Sequence, residues 1–135
     1  MLRNDTGAYI RGSAHWYNRC LDARSMEALA CRDCLALALQ AGIQKVWLET
    51  DCQEVVKLWQ AGVNQRSGVV SIIKESRELS TLFHDFKFSF VCRSCNKLAH
   101  ALAKKVTGDT RVGWWSYAPA SVSNLLSSDC NFAPP

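Results

Sequence analysis

The sequence predicts an α/β fold, in which strands and helices alternate along the chain and pack in layers. Residues 45–50 have the aromatic, β-branched and apolar content of a strand, and apolar residues at helical spacing follow in residues 55–59. In residues 86–92 phenylalanines alternate with other side chains, and this period of two is typical of a strand. A strand, a short turn and a helix form the repeating unit of an α/β layer.

The composition fits one globular domain and excludes several classes of protein. The chain has 135 residues, of which 48% are hydrophobic and 21% charged, which argues against disorder or a fibrous repeat. No uncharged apolar run reaches the roughly 18 residues of a membrane span, so we expect no membrane association. The N-terminus lacks the apolar segment of a secretory signal, so we expect an intracellular protein, nuclear or cytoplasmic and not secreted.

The first half of the chain is predicted to contain a turn, two strands and two helices. Asn4–Gly7 has turn composition, and residues 9–17 have the content of a strand. Ser25 is the predicted N-cap of a largely buried helix that stops at Gly42. Residues 45–50 form the next strand, which Asp51 ends, and a helix resumes immediately after it.

The second half is predicted to contain two helices, one strand and a tail. Residues 61–68 form a polar loop, and the apolar spacing within residues 69–83 predicts an amphipathic helix. The strand in residues 86–92 follows, and then a helical stripe in residues 98–106. We place a domain at residues 1–106 and a tail rich in Trp, Ser and Pro at residues 107–135, partly ordered where its aromatic residues pack.

Two carboxylates are predicted to meet at the carboxyl edge of the sheet. Glu27 lies near the start of a helix built from Ala and Leu, and Asp51 ends a strand. Carboxylates at such an edge suit Mg²⁺, and two such ions can clamp a phosphodiester. The structural alternatives are that Glu27 is a first-turn acid favoured by the helix dipole and that Asp51 caps the next helix.

Three segments together resemble a known family. EALACRDCLALA begins at Glu27, VWLETDCQEVV begins at Val46, and RSCNKLAHALA begins at Arg93. In their order, spacing and local sequence they resemble the plant ribonuclease H-like domain. That domain is related to type 1 ribonuclease H and to the ribonuclease H of retroelement reverse transcriptases. The resemblance implies a mixed sheet flanked by helices, and an endonuclease that uses Mg²⁺ or Mn²⁺ to cut the RNA strand of an RNA–DNA hybrid.

The resemblance also implies catalytic positions. Glu27 and Asp51 correspond to metal-binding acids, and His100 stands where the family has its last acid. A neutral imidazole is a poorer ligand for a hard cation than a carboxylate is. The family's first strand, with its Asp-Gly motif, has no counterpart, because Asn4–Gly7 better matches a later hairpin turn. We therefore expect an N-terminally truncated domain whose hydrolase activity is weak or absent.

Substrate-binding positions follow from the same resemblance. Gln53 corresponds to a residue that contacts the hybrid, Asn96 to the polar residue before the last acid, and Arg93 opens the segment that holds them. The expected partner is a nucleic acid, namely an RNA–DNA hybrid, and the net charge of +4 permits this. The alternative is a non-catalytic module of retroelement origin that binds nucleic acid or protein. The oligomeric state is not predicted.

The cysteines and the tail aromatics leave two further alternatives open. Cys31-x-x-Cys34 and Cys92-x-x-Cys95 have the form of a zinc site, but 57 residues separate them. We therefore expect no zinc and interpret the cysteines as packed free thiols. The aromatic residues of the segment 114–117 either stack on nucleic-acid bases or cover an apolar patch of their own domain.

Overall fold

The computed structural model describes residues 1–17, 22–61 and 68–126. Contacts divide the chain into a terminal unit (residues 1–20 and 92–135) and a central unit (residues 21–91). The elements in chain order are β1 (Leu2–Arg3), β2 (Tyr9–His15), α1 (Ala23–Gln40), β3 (Lys45–Thr50), α2 (Gln53–Ala61), α3 (Gly68–Ser80), β4 (Asp85–Phe90), a 3₁₀ turn (Arg93–Cys95), α4 (Lys97–Ala103), β5 (Val112–Trp115) and α5 (Ala120–Leu126).

In the terminal unit, the predicted turn joins β1 and β2 into an antiparallel hairpin. The side-chain oxygen of Asn4 accepts hydrogen bonds from the backbone N–H groups of Thr6, at 3.1 Å, and Ala8, at 2.8 Å. Gly7 has a φ of 87°, which a residue without a Cβ adopts at no steric cost. The predicted turn at Asn4–Gly7 is therefore confirmed, whereas the absence of the family's first strand stays a prediction.

The tail adds a third strand to this hairpin. Strand β5 pairs antiparallel with the second half of β2, and Gly12 lies opposite Trp115. Helix α4 packs beneath β2, because a Cβ on Gly12 would lie only 2.6 Å from a methyl group of Leu102. One core cluster of the unit consists of Leu98, Leu102 and Val122, against which partly buried apolar side chains pack.

The central unit is built on a parallel pair of strands. Strands β3 and β4 pair in register from Lys45 opposite Asp85 to Thr50 opposite Phe90. The ring of Trp59, in α2, lies 4.8 Å from that of Phe88 and so covers one face of the pair. Helix α1 contacts β3 and packs along α3. Its six buried residues, which are Ala28, Leu29, Cys31, Leu35, Leu37 and Ala38, agree with the predicted buried helix.

Several element boundaries differ from the predictions. The N-cap of α1 is Asp22, not Ser25, because the Asp22 carboxylate accepts a hydrogen bond from the Ser25 N–H at 2.7 Å. Glu27 therefore lies beyond the first turn, and its interpretation as a first-turn acid is wrong. Strand β2 ends at His15, two residues early. The predicted end of α1 is confirmed, since Gly42 follows it with a φ of 73°.

The predicted α/β class is confirmed: helices accompany both parallel and antiparallel strand pairs. The predicted loop of residues 61–68 falls mostly outside the described residues. Among the helices that are described, none has the length and apolar character needed to cross a bilayer.

Candidate nucleic-acid interface

In the central unit, Cys31 interacts both with Glu27 and with Thr50, the residue at the carboxyl end of β3. Burial raises the pKa of the Cys31 thiol, and the charges of Cys34 and Glu27 raise it further, whereas a hydrogen bond from Thr50 opposes the shift. Because Thr50 is the last residue of β3, the face of α1 that carries Glu27 lies at that end of the strand. Glu27 and Asp51 therefore lie towards the same end of the central unit, and their joint role in a site stays a prediction.

Asp51 lies in the turn between β3 and α2, and Gln53 lies where α2 begins. The Cys52 carbonyl accepts a hydrogen bond from the Val56 N–H at 3.4 Å, so Cys52 is the N-cap residue of α2. Asp51 therefore lies one residue before the cap, and the alternative that it caps the helix is wrong. Gln53 is the first residue of α2 and is exposed, as a side chain that contacts a ligand must be.

These acids do not make up the donor set of a two-ion site. Two ions in register need several oxygen ligands, and the central unit contributes the two predicted carboxylates, Glu27 and Asp51. Across residues 1–17, 22–61 and 68–126, no group of three or more His, Cys, Asp and Glu side chains could hold a metal ion. The described residues therefore do not fit a magnesium pair, and use of Mg²⁺ or Mn²⁺ by this chain stays a prediction from the family.

In the terminal unit, the other predicted site residues lie on and beside α4. Arg93 is in the 3₁₀ turn, Asn96 is the N-cap of α4, and His100 is in its second turn. The Asn96 side chain makes no capping hydrogen bond to the helix, although its carbonyl accepts one from the His100 N–H at 3.2 Å. Arg93 and His100 both line one groove of this unit.

This groove is basic, has a volume of about 830 Å³ and lies between α4 and α5. Lys97, His100 and Lys104 are spaced three and four residues apart, which puts them on one face of α4, and Arg93 lies in the 3₁₀ turn that precedes it. The apolar residues Leu98 and Leu102 point the other way, into the core. The full lining is Arg93, Ser94, Lys97, His100, Ala101, Lys104, Lys105, Ser121 and Leu125.

The net positive charge of the whole chain resides in the terminal unit. Residues 1–20 and 92–135 contain eight Lys and Arg against three Asp and Glu, a net charge of +5. Residues 21–91 contain eight against nine, a net charge of −1. Clustered cations attract polyanions and hold phosphate groups, whereas a mild charge spread evenly over the chain would not direct a ligand to one surface.

Three lysines of the groove were not predicted from the sequence. Lys97, Lys104 and Lys105 lie in a segment that was interpreted from its apolar stripe, with Arg93, Asn96 and His100 as its functional residues. The repeat of a basic residue every three or four positions, from Arg93 to Lys104, is visible in the sequence and would have identified the face. That this face borders α5 depends on the fold of the tail.

The two Cys-x-x-Cys motifs differ in chemical state. Cys31 and Cys34 lie within α1 and carry free thiols, as does Cys92. Cys95 is disulfide-bonded, so the prediction of free thiols is wrong at that position. The prediction that the chain binds no zinc stays a prediction.

Comparison with known proteins identifies the family. No curated protein and no solved structure matches the chain significantly. The family model described as reverse transcriptase-like matches residues 1–106, which include Glu27, Asp51 and His100. The predicted ribonuclease H-like resemblance is thereby confirmed. The match covers most of the 135 residues, and the chain belongs to the reverse transcriptase-like family of ribonuclease H-like domains.

Proposed function

We propose that this chain binds RNA–DNA hybrids through the basic groove of its terminal unit and hydrolyses them weakly or not at all. The observation that carries this proposal is the setting of His100. It stands where the family has its last metal-binding acid, yet it lines a groove with Arg93, Lys97, Lys104 and Lys105. A phosphate backbone is attracted to such a surface, whereas a hard cation is repelled by it and finds no carboxylate in its lining.

The groove suits the backbone of a helical hybrid. Its cations lie in the 3₁₀ turn and along one face of α4, and they can contact successive phosphates. Its hydroxyl-bearing residues, Ser94 and Ser121, can donate hydrogen bonds to phosphate or ribose oxygens. Contacts of this kind position a duplex without reading its sequence. We therefore propose binding that depends on duplex geometry and charge.

Charge reversal in the groove tests the binding. The double variant Lys97→Glu/Lys104→Glu should weaken hybrid binding by roughly a hundredfold or more and reduce the slope of log K against log salt by about two. The matched control is Lys57→Glu/Lys74→Glu, which makes the same change in net charge on exposed lysines of the central unit. Equal losses from the two variants, measured by fluorescence anisotropy, would show that net charge acts rather than the groove.

A cleavage assay tests the second part of the proposal. The purified chain is incubated with a labelled hybrid and either Mg²⁺ or Mn²⁺, and the expected result is binding without multiple turnovers. Robust cleavage that Asp51→Asn abolishes would overturn the proposal of weak hydrolysis. If the chain neither binds nor cleaves the hybrid, the nucleic-acid function itself fails, and the protein-binding alternative replaces it.

A further inference from the structure

We propose that the terminal unit has a second binding surface, on which unpaired bases of single-stranded nucleic acid stack against Trp114. The register of β2 and β5 defines this surface. Ser13 lies opposite Trp114, and His15 lies opposite Val112, so these four side chains share one face of the ladder. We call it the outer face. On the inner face, Ala14 is buried and Trp115 packs against the core of the unit.

The outer face exposes aromatic surface that the fold does not cover. Trp114 is 55% exposed and Val112 is 47% exposed, although both lie within a hydrogen-bonded strand. The His15 ring contacts the Trp114 ring edge-on, with centroids 5.5 Å apart and planes at 66°. The two rings are steeply inclined and not stacked in parallel, and Trp114 keeps more than half of its surface exposed, so indole surface remains on which a planar base can stack.

The charges that flank the outer face match a polyanion. Arg11, two residues before Ser13 in β2, points to the same face and is exposed. Arg111, just before β5, is also exposed, and its guanidinium lies 6.0 Å from the centre of the Trp16 ring, so it adds positive charge at the end of the ladder rather than on the outer face itself. Among the described residues of the terminal unit, the acids are Asp5 and Asp109, which Lys and Arg outnumber. An aromatic platform bordered by arginines is the arrangement that binds single strands, because every base has a face that stacks.

This surface and the groove are separate sites. Helix α4 packs on the inner face through Leu98 and Leu102, and the groove lies on the other side of α4. The outer face and the groove therefore occupy opposite sides of the terminal unit. The groove presents cations to a duplex backbone, whereas the outer face needs unpaired bases. Strand β5 also lies beyond residues 1–106, so Trp114 is outside the part of the chain that matches the family.

The central unit offers a matched control for Trp114. Trp47 is 62% exposed and also lies in a strand. Its indole N–H donates a hydrogen bond to the Ser89 hydroxyl at 2.7 Å, and the Lys87 ammonium lies 5.2 Å from its ring centre. The Lys87 side chain thus occupies a face of Trp47 on which a base would have to stack. Removing Trp47 deletes as much exposed indole as removing Trp114, but from the other unit.

The experiment measures binding of a labelled oligouridylate and of an RNA–DNA hybrid to the full chain. Trp114→Ala should weaken oligouridylate binding about tenfold and leave hybrid binding within about twofold, because loss of one stacked base has an effect of this size. Trp114→Phe, which retains an aromatic ring, should keep the affinity within about threefold but lose most of the tryptophan quenching caused by the oligomer. Trp47→Ala should bind both ligands as the wild type does.

The possible results distinguish failure of this inference from failure of the proposed function. Unchanged oligouridylate affinity of Trp114→Ala, or an equal loss in Trp47→Ala, would overturn the stacking surface. Equal loss of both ligands in Trp114→Ala, with an unchanged thermal melt, would also overturn it, since the two sites would not be separate. If the hybrid does not bind but the oligouridylate binds through Trp114, the inference stands and the proposed function fails.

Discussion

The central unit buries more apolar side chains in its core than the terminal unit does. In the central unit, α1 has 18 residues and α3 has 13, and the two helices pack along each other over a parallel strand pair. In the terminal unit, α4 and α5 have seven residues each, and the buried apolar residues among those described are Leu2, Ala14, Leu98, Leu102 and Val122. The same short helices and strands present the cations of the groove and the exposed indole of Trp114.

In the proposed function, the central unit acts as the scaffold and the terminal unit as the binding module. Side chains that bind polyanions must stay solvated and cannot contribute to a core, so a small unit with many of them has little apolar surface to bury. The central unit has the larger core and a net charge of −1, and it carries the predicted acids Glu27 and Asp51. We expect the two units to respond differently to labelling, to core truncation and to added volume.

Thiol reactivity should show the largest contrast between the units. A hydrogen bond with Ser94 is the main cause that lowers the pKa of exposed Cys92, whereas burial raises the pKa of Cys31. The thiolate is the reactive form, so Cys92 should label at a pH below the ordinary thiol value of about 8.5. Cys31 should label only when the central unit opens, roughly a thousandfold more slowly. Alkylation followed by peptide mass spectrometry measures both rates.

The variant Ser94→Ala provides the control for this contrast. Removing the hydroxyl should raise the pH of half-maximal Cys92 labelling and leave the Cys31 rate unchanged. If Cys31 labels as fast as Cys92 in the folded protein, then the core of the central unit is open to solvent and the contrast with the terminal unit does not hold.

The sequence predicted the central unit better than the terminal unit, for a physical reason. Helices α1 and α3 have enough turns for apolar periodicity to be recognised, and β4 alternates clearly. Strand β5 has the sequence VGWW, which lacks alternation, and it forms by pairing with β2 about a hundred residues earlier. Pairing between such distant segments depends on the whole fold, so local pattern did not predict it.

The sequence likewise predicted only part of the candidate site. A strand that ends at Asp51 beside a helix that carries Glu27 follows from the order of the elements. The apolar stripe of α4 identified the side that packs, but not that the opposite side borders α5 and forms a groove. The boundaries of α1 were shifted because Asp22 and Ser25 are both good N-cap residues.

Truncation of core residues should have the next largest effect. Leu102→Ala in the terminal unit and Ile73→Ala in the central unit each remove a large side chain that is at most 1% exposed. Each should lower the free energy of unfolding by about 2–5 kcal/mol. Leu102→Ala should also weaken hybrid binding, because Leu102 holds α4 against the sheet, whereas Ile73→Ala should leave binding by the folded protein unchanged.

Hydrogen exchange locates the damage in these variants. In Leu102→Ala, the amides of β2 and α4 should lose protection while those of α1 and α3 keep it. Loss of protection in all four elements at once would mean that the chain unfolds as a single cooperative body, and the division into two units would then have no energetic meaning.

Alanine substitution of one glycine in each unit should give the smallest effects, of opposite sign. A Cβ on Gly12 would lie 2.5 Å from the Tyr9 hydroxyl and 2.6 Å from a methyl group of Leu102, whereas a Cβ on Gly68 meets nothing within 4 Å. Gly12→Ala should therefore lower the free energy of unfolding by about 1–3 kcal/mol. Gly68→Ala, in the first turn of α3, should raise it by up to about 1 kcal/mol. Urea titrations measure both values. Equal changes in the free energy of unfolding for Gly12→Ala and Gly68→Ala would show that the close approach of β2 to α4 does not limit the packing of the terminal unit.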